Sequence, residues 1–590
     1  MQNIWSTATT LCYALRIIFS SSPKITLLFI TSLIIQGVMP VINVMLSVEL
    51  VNEVTAGNAL PLSLILLWAL SFSLSPILAP INSGFQALIN DRVTRNVQLR
   101  IMGMAAGIKD LATLHDSEMH DCIELLSRES HHRPLNTLVN VVEVIRSSVT
   151  MGSLCILLAS FIWWLPLFLL LPLLPVAWTL MKTQMDVFKE MLSASKESRF
   201  FKYYFKVVLN HKYAEDIRIF NLFSFFQRKY VHHYDRYLGS MKNKRIQMML
   251  KPQPWNLIYF LSISMAIFWL TGGMSSTTTS GQLVGLIQAM AIFSAISQGM
   301  TYNLSVLPVC IEYFRQMRRL ENTQPLVDTS QSNQALPENK TVVFEEVSFH
   351  YPDGRKALSD INLTLESGEK VALVGENGAG KTTLVKLLCR FYDPSEGRIT
   401  VGGVDLRHLN LDEWREYIGA VFQDFGRYHL TVGENIALGY KQQSDNSLQL
   451  ADAARKARFE LSDNLNLDSQ LGAEFDGTEL SGGQWQRLAL ARTVNRDCGL
   501  VILDEPTSAM DPRVEAELFE QFTSLMANRT ALMVTHRLGS VALLERVLVL
   551  KSGHLIEDGQ PAVLEAKGGE YAELWKLQSV QYQKQAEATV

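Results

Sequence analysis

Long stretches without a charged residue fill the first half of the chain and limit what it can fold into. Ile25 to Val48 contains 24 such residues, Ser147 to Met181 contains 35, and Pro252 to Ile311 contains 60. A helix of about 20 apolar residues crosses the hydrocarbon core of a membrane. The first run therefore predicts one span, and a further uncharged run from Leu60 to Ile89, interrupted by Pro76 and Pro80, predicts a second. Each of the two longest runs predicts two spans, divided near Trp163 to Pro166 and near Gly272 to Gly281.

The distribution of basic residues favours six spans. Residues 91–133 and 182–251 are rich in Lys and Arg, whereas the short connections near residues 50–60, 162–165 and 271–282 contain neither. Because Lys and Arg accumulate in cytoplasmic segments, both termini are predicted in the cytoplasm. A transmembrane domain is predicted over residues 1–321, with spans at about 25–48, 60–82, 141–162, 165–186, 255–272 and 283–309.

The two cytoplasmic connections are too long for turns, and their periodicity predicts helices that continue beyond the membrane surface. Their tips, Leu114 to Glu118 and Tyr213 to Arg218, are candidates for contact with a soluble domain. A solvated loop tip is the alternative. The histidines of these connections lack the spacing of a metal site, so no metal is assigned to them.

The second half of the chain contains a phosphate-binding motif. Residues 375–382, Gly-Glu-Asn-Gly-Ala-Gly-Lys-Thr, fit the pattern G-x-x-x-x-G-K-[ST], after the apolar run 371–374 and before a helical pattern. Strand, loop and helix in this order present backbone N–H groups and a helix N-terminus to phosphate. Lys381 is predicted to reach the β- and γ-phosphates, and the Thr382 hydroxyl to ligate Mg²⁺.

Two further patterns extend this chemistry. The buried-strand pattern Leu500 to Leu503 ends in two carboxylates, of which Asp504 is predicted to hold Mg²⁺ and Glu505 to act as general base toward water. Leu480 to Gln484 places a serine and two glycines before a helix, which predicts a second anion-binding start. A polar linker at 322–340 precedes this α/β domain at 341–578, and a tail follows at 579–590.

Leu480 to Gln484 resembles the signature sequence of ATP-binding cassette (ABC) proteins, and the remaining landmarks match that superfamily. Tyr351 resembles its adenine-stacking aromatic residue, Gln423 its Mg²⁺-sensing glutamine, Ser508 to Asp511 the loop after the catalytic acid, and His536 its γ-phosphate switch. Spans followed by a cassette are similar to bacterial half-transporter exporters. The resemblance implies a six-helix type IV exporter domain with long cytoplasmic helices, then an α/β P-loop nucleotide-binding domain.

The resemblance also implies the site and its partner. Lys381, Glu505 and His536 would be catalytic, and Thr382, Gln423 and Asp504 would hold Mg²⁺. Cassettes of this family dimerise head to tail, so a homodimer would have two equivalent sites, each with a P-loop facing the signature of the other chain. ATP would be bound by Tyr351, Gly375, Glu376, Asn377, Gly378, Ala379, Gly380, Lys381, Thr382, Thr383, Ser481, Gly482, Gly483 and Gln484.

The expected function is ATP-driven export by alternating access across the bacterial inner membrane, in contact with its lipids. Residues 471–479 and 484–487 look more like bacterial peptide and lantibiotic exporters than lipid flippases, so a peptide substrate is expected. No peptidase domain precedes the first span, so leader cleavage by this chain is not expected. A lipid or multidrug exporter, or an ATP-gated channel or sensor, is the alternative; the fused order of domains disfavours an importer.

The composition of the chain also limits the kinds of partner that are expected. The net charge of −4 shows no basic excess of the kind that indicates nucleic acid, so no nucleic-acid partner is expected. Six cysteines without C-x-x-C spacing indicate neither a disulfide framework nor a zinc ribbon. Polar residues within the predicted spans have two interpretations, helix packing or the lining of a substrate cavity: Gln36, Asn43, Gln288, Gln298 and Asn303.

Overall fold

The computed structural model describes residues 2–193, 195–273, 279–329, 332–439, 446–505, 529–536, 538, 541 and 544–587. Its contacts divide the chain into two compact units. The first comprises residues 1–107 and 117–323, and the second comprises residues 108–116 and 324–590. As predicted, the first half of the chain is helical and the second half is α/β.

The helices of the first half include several that are much longer than a membrane span. Helices α3 and α13 have 46 and 42 residues, lengths of roughly 60–70 Å at 1.5 Å per residue. The bounds are α1 Gln2–Ser21, α2 Pro23–Thr55, α3 Leu62–Gly107, α4 Leu111–His115, α5 Ser117–Glu129, α6 Arg133–Phe161, α7 Leu165–Leu170, α8 Leu173–Ser193, α9 Ser195–Leu209, α10 Ala214–Ile219, α11 Phe223–Leu250, α12 Gln253–Gly273 and α13 Ser280–Glu321.

Five stretches of helix within the described residues are long and apolar enough to cross a membrane. They are Pro23–Thr55, Leu62–Gly107, Arg133–Phe161, Leu165–Met191 and Ser280–Glu321. The predicted fifth span lies in α12, whose side chains from residue 270 onward are outside the described set. Six spans at the stated bounds therefore stay a prediction.

Close helix packing holds the core of the first unit together. Leu154, Leu158 and Phe293 are fully buried in it. The N–H of Gly281 donates to Asn52 Oδ1 at 3.1 Å, and a Cβ at this glycine would clash with the Val48 carbonyl. Small residues let membrane helices approach in this way, so α2 and α13 pack backbone to backbone at this level.

Several polar residues in the spans serve helix packing. Asn43 Nδ2 donates to Ser71 Oγ at 3.0 Å, and Gln288 Nε2 donates to Asn43 Oδ1 at 3.1 Å. Gln36 Nε2 donates to the Ser75 carbonyl at 3.4 Å. These bonds join α2 to α3 and α13, which confirms the helix-packing interpretation for Gln36, Asn43 and Gln288.

Two sheets form the α/β half. Four strands pair in the order β2-β1-β4-β5, and six pair in the order β10-β9-β3-β8-β7-β6. The bounds are β1 Val342–His350, β2 Lys356–Leu365, β3 Lys370–Gly375, α14 Lys381–Leu388, β4 Glu396–Val401, β5 Val404–Asp405, α15 Leu411–Tyr417, β6 Ile418–Val421, α16 Val432–Ala437, α17 Ser447–Lys456, α18 Gly482–Val494, β7 Leu500–Asp504, β8 Thr530–Val534, β9 Arg546–Lys551, β10 His554–Gly559, α19 Pro561–Lys567 and α20 Glu570–Glu587.

The central parallel strands of the six-stranded sheet are buried on both faces, as expected for parallel strands covered by helices. In β3, Val371 and Leu373 pack into one apolar core, and Ala372 and Val374 pack into the other. Parallel pairing sets Leu373 beside Val534 and Val534 beside Asp504. The carboxyl ends of β3, β8 and β7 therefore meet at one edge of the sheet.

The second unit also includes α4, from the tip of the first cytoplasmic connection. Asp110 caps this helix by accepting from the Thr113 N–H at 2.5 Å, and Ala112 is buried in the core of the α/β domain. Lys109 forms an ion pair with Asp412 at 2.7 Å. The predicted contact of this first tip with the soluble domain is confirmed, whereas that of the second tip stays a prediction.

A glycine near the start of β4, an inner strand of the four-stranded sheet, tests this fold. Gly397 has φ +75, and a Cβ there would clash with the Glu345 and Glu346 carbonyls; Gly403 has φ +85 but faces open space. Gly397→Ala should destabilise the protein by about 2 kcal/mol or more, because backbone strain and a steric clash add. Gly403→Ala is the matched control, with strain alone of about 1 kcal/mol. Thermal unfolding of the purified protein checks this, and equal melting temperatures would contradict it.

Candidate functional site

A cavity of about 920 Å³ lies at the carboxyl edge of the parallel strands. In open α/β sheets this edge is where ligands bind. Most of the residues that the sequence assigned to nucleotide binding and catalysis line it: Tyr351, Gly375, Glu376, Asn377, Gly378, Gly380, Lys381, Thr382, Thr383, Gln423, Glu505 and His536.

The loop from β3 to α14 wraps around the amino group of a lysine. Lys381 is 6% exposed, and its Nζ donates to the carbonyls of Gly375 at 2.8 Å and Glu376 at 3.0 Å. Burial lowers the pKa of Lys381, against the opposing effect of the Glu505 and Asp504 charges. The loop needs glycine at Gly380, where φ is +109 and a Cβ would press on Leu358 at 2.7 Å. The amino group is therefore fixed at the base of the cavity.

Two adjacent carboxylates at the end of β7 have different surroundings. Asp504 is 1% exposed, and its Oδ1 has no hydrogen-bond partner among the described residues. Burial and the neighbouring Glu505 charge raise the pKa of Asp504 to about 6, although Lys381 and a hydrogen bond from Thr382 act in the opposite direction. A buried carboxylate oxygen beside a threonine hydroxyl is a fitting donor set for a divalent cation.

Glu505 lies between two side chains from neighbouring strands. Gln423 Nε2 donates to Glu505 Oε2 at 2.9 Å, and His536 Nδ1 lies 3.4 Å from Glu505 Oε1. Gln423 follows β6 and His536 follows β8, on either side of β7. The structure thus brings together three residues that are 82 and 31 positions apart in sequence.

Some residues of the cavity were not found from the sequence. Gln578, in α20, donates from its amide to the His536 carbonyl and accepts from the Leu538 N–H at 2.8 Å, which holds the His536 segment. No sequence pattern marks Gln578, because it belongs to a different element. Arg355 lies 4.8 Å from the centre of the Tyr351 ring, and its position four residues after Tyr351 could have indicated it.

The signature residues lie apart from this cavity. Ser481 caps α18, accepting from the Gln484 N–H at 3.3 Å and donating its own N–H to Gln484 Oε1 at 2.9 Å. A Cβ on Gly482 or Gly483 would meet no atom within 4 Å. Among the residues lining the cavity none comes from this segment. Ala379 is buried in the core instead, and Ser508 to Asp511 lie outside the described residues.

A second cavity, of about 380 Å³, lies among α8, α12 and α13. Of the described residues that line it, none is charged. Asn256, Ser294, Gln298 and Thr301 give it polar groups beside an apolar wall. Gln298 was one of the polar span residues with two interpretations, helix packing or cavity lining. Its side chain lines this cavity.

Comparison with known proteins gives a consistent result. Residues 358–508 match the family model described as ABC transporter. The chain is 27% identical to the subtilin transport ATP-binding protein SpaT of Bacillus subtilis, over 92% of this chain and 90% of that protein. It is 26% identical to the nisin transport ATP-binding protein NisT of Lactococcus lactis, over 96% of each.

Other matches cover different extents. The ATP-dependent lipid A-core flippase of Methylobacillus flagellatus is 34% identical over 55% of this chain and 54% of that protein. The solved structure of a bacterial Atm1-family ABC exporter with ATP bound superposes with a TM-score of 0.81. It shares 22% identity and covers 94% of this chain and 98% of that one. This likeness confirms the predicted exporter fold.

The surroundings of Asp504 predict a dependence of stability on pH. Because its pKa is raised from 3.8 to about 6, the folded state binds the proton more tightly, and this carboxyl lowers stability as pH rises through that range. In EDTA without nucleotide, Asp504→Asn should raise the melting temperature at about pH 7.5 and raise it less at about pH 5. The exposed Asp463→Asn serves as control. A lower melting temperature for Asp504→Asn at both pH values would contradict the prediction.

Proposed function

We propose that this chain is an ABC half-transporter of the exporter type, with an ATPase domain coupled to transport, and that it exports a peptide as a homodimer. The observation that carries the ATPase half of the proposal is the convergence of Gln423 and His536 on Glu505, beside the Lys381 loop. The observation that supports a peptide is the full-length likeness to two transporters of named peptides.

Glu505 is the general base of the proposed reaction. Its carboxylate accepts from Gln423 at 2.9 Å on one oxygen and faces His536 at 3.4 Å on the other. Two such partners fix the plane of the carboxylate, so an attacking water can be oriented toward the γ-phosphate. Lys381 neutralises charge on the transferring phosphoryl group, and Tyr351 stacks on adenine.

Thr382, Gln423 and Asp504 would hold Mg²⁺, and the buried Asp504 oxygen without a partner fits that role. When bound, the cation would neutralise part of the negative charge of the phosphates. A hydrogen bond from the Thr382 hydroxyl to the Asp504 carboxylate keeps these two side chains together.

The homodimer completes the site. Ser481, Gly482, Gly483 and Gln484 form a helix start that is open to its surroundings and separate from the cavity of their own chain. A helix N-terminus with free N–H groups binds anions. In the proposed dimer, Ser481 of the partner subunit closes the γ-phosphate side of each cavity.

The proposed location is the bacterial inner membrane. Large apolar side chains are exposed on the membrane helices, among them Ile156 at 75% and Phe268 at 79%, as expected for contact with lipid rather than water. The nucleotide-binding domain is cytoplasmic in such an exporter, and the Lys and Arg distribution predicts both termini on the same side.

A variant of Glu505 tests hydrolysis and transport together. Glu505→Gln should bind ATP with near-normal affinity, yet release phosphate at least about 100-fold more slowly, since the general base is lost. ATP binding and phosphate release by the reconstituted protein are the measurements. Glu545→Gln, at an exposed position of the same domain, is the matched control. Normal turnover in Glu505→Gln would contradict the proposed role.

Transport into inverted vesicles, measured for the unchanged protein and for Glu505→Gln, distinguishes the substrate classes. A peptide exporter accumulates nisin or subtilin with ATP, and the accumulation vanishes in Glu505→Gln. Accumulation of lipid A or of hydrophobic drugs, but not of peptides, would support the lipid or multidrug alternative. ATP hydrolysis without accumulation of any of these would favour a channel or sensor.

Complementation between two inactive variants tests the homodimer. Lys381→Met and Ser481→Arg should each abolish ATPase activity alone. A mixed dimer of the two has one site with both residues intact, so co-expression with separate affinity tags should restore ATPase activity after tandem purification. If Lys381 and Ser481 act within one chain, the mixed dimer stays inactive. Mixing Lys381→Met with Glu505→Gln is the control: both residues line the cavity of their own chain, so each of the two sites carries one change and the mixed dimer should stay inactive.

A further inference from the structure

The C-terminal helix α20 is anchored on the sheet that carries the nucleotide site. At its first turn, the N–H groups of Glu570 and Tyr571 both donate to the carboxylate of Glu557 in β10, at 2.9 Å each. Lys551 of β9 forms an ion pair with Glu570 at 2.6 Å. A carboxylate at a helix start satisfies free N–H groups and interacts favourably with the helix dipole. The start of α20 is therefore fixed relative to β9 and β10.

One face of α20 extends from this anchor to the nucleotide cavity. Four side chains spaced by three and four residues share that face: Tyr571, Leu574, Trp575 and Gln578. Tyr571 is 1% exposed, and Leu574 and Trp575 pack against the same apolar core. Gln578 follows Tyr571 by two helical turns and lines the cavity. Burial of the first three side chains therefore sets where the Gln578 amide lies.

Gln578 meets the chain just beyond the end of β8. Hydrogen bonds of the sheet hold this chain as far as Thr535, whose N–H donates to the Leu373 carbonyl at 3.2 Å. The Gln578 amide then donates to the His536 carbonyl, and its Oε1 accepts from the Leu538 N–H at 2.8 Å. Leu538 is 1% exposed, so its N–H needs a partner within the protein. One side chain thus fixes two backbone positions.

The backbone of His536 decides where its imidazole points. The side chain is 45% exposed, and its Nδ1 lies 3.4 Å from Glu505 Oε1. Because an exposed ring has few neighbours to restrict its rotamers, packing alone does not keep Nδ1 facing the carboxylate. The two hydrogen bonds of Gln578 act on the backbone that carries this ring.

We propose that Gln578 is a positioning residue for ATP hydrolysis, which keeps the His536 imidazole opposite Glu505. The inference rests on the proposed function, because it takes Glu505 as the general base. The Gln578 amide is engaged with the backbone, so it acts through His536 and not on ATP. Without it, the His536 backbone can move away, and the Glu505 carboxylate loses one of its two partners. The C-terminal helix is then required for turnover rather than for the binding of ATP.

Steady-state ATPase kinetics of the full chain in lipid nanodiscs test this positioning. Gln578→Met keeps the length of the side chain and removes both hydrogen bonds. We expect kcat to fall about tenfold, the rate equivalent of one lost hydrogen bond. KM for ATP should not change, as for an interaction that acts only on the transition state. Leu577→Ala, at an exposed neighbouring position of α20, is the matched control and should change neither value. An unchanged kcat in Gln578→Met, or a change in KM alone, would overturn the proposal.

A double-mutant cycle with His536→Ala separates positioning from a merely structural role. Rates are measured as release of radiolabelled phosphate, so that the slow variants can be compared. If Gln578 acts through His536, Gln578→Met should slow the His536→Ala protein no further. An equal loss in both backgrounds would mean that Gln578 only supports the fold, and would overturn the proposal. Full activity of His536→Ala would instead contradict the proposed function, because His536 would then have no part in hydrolysis.

A second variant keeps the test valid if Gln578→Met is unstable. In Gln578→Glu the carboxylate still accepts from the Leu538 N–H but cannot donate to the His536 carbonyl. We expect kcat to fall in the presence of His536 and to stay the same in the His536→Ala background. A loss of equal size in both backgrounds would be an effect of the added charge and would overturn the positioning role.

Discussion

Parallel pairing of β3, β8, β7 and β6 in one register is the constraint on which the nucleotide site depends. Leu373, Val534 and Asp504 lie side by side, and Val421 lies beside Leu503. The residues that follow each strand therefore emerge at one edge of the sheet. A slip of one residue in any pair would turn alternate side chains to the other face and separate the carboxylate from its partners.

Burial gives this edge its electrostatic character. Asp504 and Glu505 are adjacent in a site with little solvent, so ionising both carboxylates is unfavourable, and the pKa of Asp504 rises. Lys381 opposes this effect from the loop on β3, and its own pKa is lowered by the same burial. Positive charge brought by a cation offsets the carboxylates, and the phosphates of a nucleotide balance the lysine. The charges of the site are therefore best balanced when both a cation and a nucleotide are bound.

The membrane half obeys a different constraint, because polar groups in lipid must find partners within the protein. Asn43, Ser71 and Gln288 satisfy one another across three helices, and Glu143 pairs with Arg146 at 2.6 Å on one face of α6. Helix α4 contacts the α/β domain through Ala112, which is buried in its core, and through the ion pair of Lys109 with Asp412.

The sequence by itself determined the order of the domains, the P-loop and the two carboxylates, because uncharged runs and short motifs are local patterns. The convergence of Gln423 and His536 on Glu505 and the support from Gln578 were decided by tertiary structure. These partners are far apart in sequence, and only strand register and packing bring them together. The open signature helix is intermediate: its residues were recognised from sequence, but its separation from the cavity is a property of the fold.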